Sequence, residues 1–167
     1  VNDLEQAHRC FDEALTIAGR LNDNFIIYYS TLSSARLARL GGQVEEAEST
    51  LTLLAARQGT TSPYRLSQIG IEQACCKLAK DRPQDAAEML QRSMSMHQQA
   101  GSSEELCKFT VWLSAAYASY DTKACLDELD RLAAMDLMNL KSSSTILNAA
   151  QAYPYLDKVL ESKKVNP

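Results

Sequence analysis

Residues 42–47 of the chain are Gly42-Gln43-Val44-Glu45-Glu46-Ala47, in which a glycine turn and polar residues precede a small residue that opens an amphipathic helix. Variants of this pattern recur at residues 2–7, 81–86 and 119–124. The alanines that anchor the four copies are spaced by 40, 39 and 38 residues: Ala7, Ala47, Ala86 and Ala124. A period of this length is typical of stacked helix pairs, because one pair cannot bury its own apolar face. The recurrence therefore predicts an all-α fold built from antiparallel helix pairs.

The repeats also share an apolar stripe. In the first repeat Ala7 and Phe11 are about one helical turn apart, and the corresponding residues of the second repeat are Ala47 and Leu51. Side chains at this spacing lie on one face of a helix. The fourth copy is degenerate, which is common at the end of a repeat array. We expect six residues to be buried between paired helices: Ala7, Phe11, Ala47, Leu51, Ala86 and Leu90.

Turn and capping signals divide the chain into helices. Glycines at 41–42, 59 and 101 stand where helices should stop, and Ser62-Pro63 has the form of an N-cap followed by proline. The predicted helices span residues 3–20, 24–40, 43–58, 63–80, 83–99, 103–120 and 122–139. Residues 1–139 are predicted to form the repeats, with the first repeat truncated at its start. Residues 140–167 are predicted to add one or two capping helices, interrupted at Pro154, and a frayed tail.

The composition limits the classes of function. The chain has 167 residues, of which 46% are hydrophobic and 23% are charged, and its net charge is −4. The negative balance argues against a nucleic-acid binder held by phosphate contacts. No apolar run approaches the roughly 18–20 residues that cross a bilayer, so no membrane contact is expected. The five cysteines form no secreted-type framework, and we expect reduced, buried thiols in an intracellular protein, cytoplasmic or nuclear.

Residues suited to catalysis or metal binding are not arranged in a recognisable motif. His8 and Cys10 face roughly opposite sides of their predicted helix, and His97 has no cysteine nearby in the sequence. The chain has no Cys-x2-Cys pair, no nucleophile–base motif and no glycine-rich phosphate loop. We therefore expect no enzymatic activity, no metal and no cofactor.

The second helix of each pair resembles that of a tetratricopeptide repeat. The segment Ala7-x3-Phe11-x2-Ala14 is similar to that family's Ala, Phe and Ala spacing, and Gly42-x4-Ala47 is similar to its turn between helices. The resemblance extends to about residue 140. The period is about 39 residues instead of the family's 34, and the first helices lack the Trp, Leu-Gly and Tyr signature. The chain therefore resembles divergent, long-period members of the family.

The resemblance implies a right-handed α-solenoid. The first helices of the pairs would line a concave groove, and the second helices would form a convex back. Twelve residues before the later anchor alanines, where the family has a small residue, stand Ala35, Ala74 and Trp112. Trp112 departs from the pattern. A HEAT-like scaffold, whose repeats share this period, is the alternative fold.

Charge is distributed unevenly between the two sets of helices. The predicted first helices carry six basic and three acidic residues, whereas acidic residues predominate in the second helices. If the first helices line a groove, as the resemblance implies, that groove is basic and steers an acidic protein or peptide towards it. Trp112 and Tyr120 are candidates for an aromatic anchor of such a partner. The predicted partner-binding residues are Arg36, Arg39, Lys77, Lys108, Trp112 and Tyr120.

These features favour a non-catalytic protein–protein interaction module, or a scaffold segment of a larger multi-subunit protein, that binds an acidic partner segment in its groove. A regulatory domain that senses a small ligand or a peptide is the first alternative. An open basic groove would favour a partner protein, whereas a closed pocket of roughly a few hundred Å³ would favour a small ligand.

Overall fold

A computed structural model of the chain describes residues 2–58, 62–98, 103–135 and 142–165. These residues form eight helices and contain no strand. In chain order the helices are α1 (Asn2–Leu21), α2 (Asn24–Leu40), α3 (Val44–Gln58), α4 (Pro63–Ala79), α5 (Pro83–Gln98), α6 (Ser103–Tyr117), α7 (Thr122–Ala133) and α8 (Ser143–Val165). The predicted all-α class is confirmed.

Local signals in the sequence explain where several helices begin and end. The Asp23 carboxylate caps α2 by accepting hydrogen bonds from the backbone N–H groups of Phe25 and Ile26, at 2.9 and 3.1 Å. Asp121 caps α7 in the same way through the N–H of Ala124. Gly42, in the turn between α2 and α3, has a φ of +85°, which glycine adopts without strain.

Most predicted boundaries lie within a few residues of the observed ones, but α6 ends at Tyr117 and α7 at Ala133, both earlier than predicted. The predicted turns at Gly59 and Gly101 fall outside the described residues. So do the predicted end of the repeats at residue 139 and the last two residues of the tail.

Helices that follow one another in the sequence pack against each other from α1 to α7, and α2, α4 and α6 also make contacts in that order. The last helix does not continue this series. Among the described residues, α8 packs mainly against α6. Helices α2, α4 and α6 therefore lie side by side, and α8 lies on the last of them.

The repeat pattern identifies the core of the middle helices. Ala47 and Leu51 of α3, and Ala86 and Leu90 of α5, are fully buried, as predicted. The prediction is wrong for Ala7 and Phe11 of α1, which are only partly buried. The reason is the number of neighbours: α3 and α5 each lie between two helices, whereas α1 packs against α2 alone among the helix pairs in extensive contact.

Pro154 does not interrupt the last helix, contrary to the prediction from its sequence. Helix α8 runs from Ser143 to Val165 with Pro154 inside it. A proline in a helix interior removes one backbone hydrogen bond and costs about 3 kcal/mol. Ala152 precedes the proline and Leu156 and Val159 follow it, and all three are buried in the core that includes α6. This packing on both sides of Pro154 explains why the helix continues.

The close contact between α4 and α5 gives a test of the packing. A Cβ added at Gly70 would collide with Ser93 Oγ and lie 2.8 Å from Ser93 Cβ. We expect Gly70→Ala to lower the free energy of unfolding by about 1–3 kcal/mol, because the two helices must move apart. Gly19 of α1 is the matched control, since an added Cβ there meets nothing within 4 Å. Gly19→Ala should raise stability by about 0.5–1 kcal/mol through helix propensity alone. Urea denaturation measures both, and equal effects of the two substitutions would contradict the packing.

Candidate functional site

The site is built around a buried carboxylate that joins α2 to α4. The Arg36 Nε atom donates a hydrogen bond to Glu72 Oε1 at 2.7 Å, and Arg39 Nη2 donates to Glu72 Oε2 at 3.3 Å. The Glu72 side chain is only 2% exposed. Two guanidinium cations thus share one carboxylate, which leaves one unbalanced positive charge at this contact.

Arg39 is the more deeply placed of the two arginines. Its side chain is 9% exposed, and its guanidinium carbon lies 5.9 Å from the centre of the Trp112 ring. Its Nε atom is buried and has no hydrogen-bond partner among the residues that the structure describes. Burial disfavours the charged form of Arg39, yet its pKa is raised, and the Glu72 carboxylate that accepts its hydrogen bond contributes to that rise. Arg39 therefore remains a cation with one donor unused.

The third element of the site is α6. Lys108 lies 2.8 Å from the Glu105 carboxylate, which also accepts a hydrogen bond from Gln68 of α4 at 3.0 Å. Trp112 is 1% exposed. We call the surface formed by Arg36 and Arg39 of α2, Glu72 of α4, and Lys108 and Trp112 of α6 the α2/α4/α6 face.

Helix α8 covers this face. Trp112 Nε1 donates a hydrogen bond to Asn148 Oδ1 at 2.7 Å, and Arg39 Nη2 donates to Gln151 Oε1 at 3.1 Å. The Trp112 and Tyr155 rings meet edge to face at 6.5 Å between centroids. The three α8 residues follow one another at intervals of three and four, so they share one side of the helix. The α2/α4/α6 face is therefore occupied by a helix of the same chain.

Little space remains between α8 and the helices beneath it. A cavity of about 30 Å³ lies where all four helices meet, and its lining includes Arg36, Glu72, Lys108 and Asn148. A space of this size holds about one or two water molecules. With α8 in place, this cavity is too small for a small-molecule ligand.

Two of the predicted binding residues lie elsewhere. Lys77 Nζ lies 3.4 Å from Glu48 of α3 and borders a cleft between α3 and α5. Lys77 follows Glu72 by five residues, which places it about 140° further around α4. Tyr120 lies in the turn after α6, is 42% exposed, and contacts the ring of Tyr117 at 5.8 Å. The structure thus brings Arg36, Arg39, Lys108 and Trp112 together but not Lys77 and Tyr120.

A cleft between α3 and α5 is a second concave feature of the described residues. It consists of two adjoining spaces of about 610 and 380 Å³, which share Gln73, Lys77 and Met89. The charges around it are balanced, because Lys77 pairs with Glu48 and Arg82 pairs with Asp85. Any ligand of this cleft would have to bind mainly through apolar contacts.

Sequence reasoning does not identify Glu72, Asn148, Gln151 and Tyr155 as parts of the site. For Glu72 and Asn148, the repeat length of the sequence contains a signal that could have identified them. Glu72 follows its partner Arg36 by 36 residues, and Asn148 follows its partner Trp112 by 36 residues. Side chains that meet between α2 and α4, and between α6 and α8, are thus separated by nearly one period.

The cysteines all lie in the described ranges, and no disulfide joins them. Cys10 is exposed and the other four are buried. Burial raises the pKa of Cys76 to about 11 and holds the pKa of Cys75 well above its usual value, so both thiols are protonated at neutral pH. No group of three or more His, Cys, Asp or Glu side chains in the described ranges could hold a metal ion. None of the described helices is both long and apolar enough to cross a membrane.

Comparisons with known proteins found no matching family model, no matching curated protein and no matching solved structure. The resemblance to tetratricopeptide repeats therefore rests on the residues quoted above and stays a prediction.

Proposed function

We propose that the chain is a non-catalytic protein-interaction module of the divergent tetratricopeptide type, or a scaffold segment of a larger assembly. Its α2/α4/α6 face would bind a helical segment of a partner protein. One observation supports this proposal above all: a helix, α8, lies on that face and is held by side chains from both α2 and α6. An intracellular location, cytoplasmic or nuclear, belongs to the proposal, because buried cysteines that form no disulfide suit a reducing compartment.

The chemistry of the face favours a particular class of partner. The Arg36–Glu72–Arg39 group carries one unbalanced positive charge, which attracts an acidic segment during encounter. The Trp112 indole offers a hydrogen-bond donor and a large apolar surface, both typical of residues that dominate binding energy. A helix with acceptor side chains three residues apart meets both groups, as Asn148 and Gln151 of α8 do.

A regulatory domain that senses a ligand or peptide is the alternative, and the cleft between α3 and α5 favours it. The cleft lining includes the apolar side chains of Leu66, Met89 and Met96. Leu53, at its edge, is 66% exposed. This lining suits an apolar ligand, whereas the α2/α4/α6 face suits a helix with acceptor groups.

The proposal can be tested by supplying α8 as a separate peptide. The host is the full chain with Asn148→Ala, Gln151→Ala and Tyr155→Ala, which we call the α8-loosened variant. Trp112 is the only tryptophan, so its fluorescence reports whether the α2/α4/α6 face is covered. We expect the emission of the variant to shift to longer wavelength. A synthetic peptide of residues 143–165 should bind saturably and reverse the shift.

The same peptide with the three alanine substitutions is the matched control and should bind at least about tenfold more weakly, because it lacks the hydrogen bonds and the ring contact. Circular dichroism must show that the variant keeps its helix content. If the two peptides bind alike, or if neither binds a folded host, the α2/α4/α6 face is not a helix-binding surface.

A further inference from the structure

We propose that α8 competes with a helix of a partner protein for the α2/α4/α6 face. We further propose that this partner helix carries a carboxylate at the position that Gln151 occupies in α8. This inference rests on the proposed function and names the partner more closely. It commits to an acidic amphipathic helix as the competing ligand.

The charges of α8 and of the α2/α4/α6 face do not match. Arg36 and Arg39 together have only the Glu72 carboxylate, and α8 adds an uncharged amide oxygen at 3.1 Å from Arg39. None of the ion pairs of Arg36 and Arg39 in the described part of the chain involves α8. A buried cation in this position is incompletely compensated by the helix that covers it.

Arg39 also keeps one hydrogen-bond donor that α8 does not satisfy. Its Nε atom is buried without a hydrogen-bond partner among the described residues, although the side chain is more than nine-tenths buried. An unsatisfied buried donor on a charged group is unfavourable, and a ligand that satisfies it gains what α8 leaves unmade. Glutamate has the same length as Gln151, so it would place one carboxylate oxygen where the amide oxygen now accepts from Arg39 Nη2. Its second oxygen would stand where Gln151 carries an amide NH2 group, and so would offer the guanidinium a further acceptor. Both partners of the contact would then be charged, whereas Arg39 now pairs on α8 with a neutral amide.

Helix α8 has apolar side chains on both its buried and its exposed sides. The inward side of the helix buries Ala152, Leu156 and Val159. Other apolar residues of α8 point to solvent: Ile146 is 57% exposed, Leu147 52% and Tyr153 51%. A helix selected only to cap the fold would be expected to turn such residues inwards. Helix α8 therefore covers the face with part of its apolar surface, and a better-matched helix can compete with it.

The experiment uses two fluorescent peptides of residues 143–165, one with the natural sequence and one with Gln151→Glu. Each is titrated into three full-length hosts: the natural chain, the α8-loosened variant, and a chain with Gln151→Glu in its own α8. Anisotropy gives the affinity, and Trp112 emission reports whether the peptide reaches the α2/α4/α6 face. On the α8-loosened variant, the Gln151→Glu peptide should bind about five- to tenfold more tightly than the natural peptide. Added salt should reduce this preference.

If α8 competes with the peptides, their affinity should differ among the three hosts in a fixed order. Either peptide should bind the α8-loosened variant most tightly, the natural chain at least about tenfold more weakly, and the Gln151→Glu chain most weakly of all, because its own α8 now pairs with Arg39. Equal affinities on the three hosts would overturn the inference while leaving the proposed function intact. Binding that leaves Trp112 emission unchanged would also overturn it, because the peptide would then lie on the outer side of α8. If neither peptide binds the α8-loosened variant, the proposed function itself fails.

Discussion

Replacing Glu72 with alanine is expected to lower the free energy of unfolding by about 3–5 kcal/mol. Removal of one partner from a buried ion pair leaves an uncompensated charge, which costs more than the pair contributes. Here a single carboxylate, 2% exposed, serves both Arg36 and Arg39. Arg39 is too deeply buried to turn towards water, and α8 offers it only an amide. Urea denaturation followed by circular dichroism measures the loss.

The control for this substitution is Glu88→Ala. Glu88 also pairs with an arginine, Arg92 at 3.7 Å, but both side chains are mostly exposed. Exposed pairs contribute at most about 1 kcal/mol, so this variant should remain close to the natural chain. A Glu72→Ala protein no less stable than the Glu88→Ala protein would show that the arginines are not held by the shared carboxylate.

The second large effect is expected for Ala47→Arg, which should lower the free energy of unfolding by at least about 3 kcal/mol. Ala47 is fully buried in a cluster that includes Ala35, Leu51 and Ile69. An arginine there would both overpack the contact between helices and bury a charge without a partner. The thermal midpoint is the simplest measurement.

Ala56→Arg is the matched control, because Ala56 lies on the same helix and is exposed. That substitution should change stability by no more than about 0.5 kcal/mol. Similar thermal midpoints for the two variants would mean that the alanine recurrence does not mark the inner side of the helices.

The sequence predicts the fold class and the core of the middle helices because both depend on local patterns. Ala47 and Ala86 recur at nearly one period, and each lies on a helix with neighbours on two sides. The same pattern overestimates the burial of Phe11, since periodicity defines an apolar side but not how many helices cover it. Packing between α8 and the core likewise overrides the local effect of Pro154.

The site is harder to predict because it depends on contacts between distant residues. The sequence indicates the cations Arg36 and Arg39 but not their shared carboxylate, Glu72, which lies on α4. A count of charges by helix also treats all basic residues of one helix alike. Lys77 shows the error in that assumption, because five residues along α4 rotate its side chain to the other side of the helix. The position of α8 follows from none of these patterns, since its apolar spacing marks an inward side without naming the helix that receives it.

The contact between Arg39 and Gln151 joins residues that are 112 positions apart in the sequence. Contacts of such separation form late, because the chain must close a long loop before they contribute. During synthesis, domains generally fold from the N-terminus first. The pair of Arg36 with Glu72 can therefore form while the ribosome has yet to release α8. A growing chain would display its α2/α4/α6 face uncovered, and the arrival of α8 would end that interval.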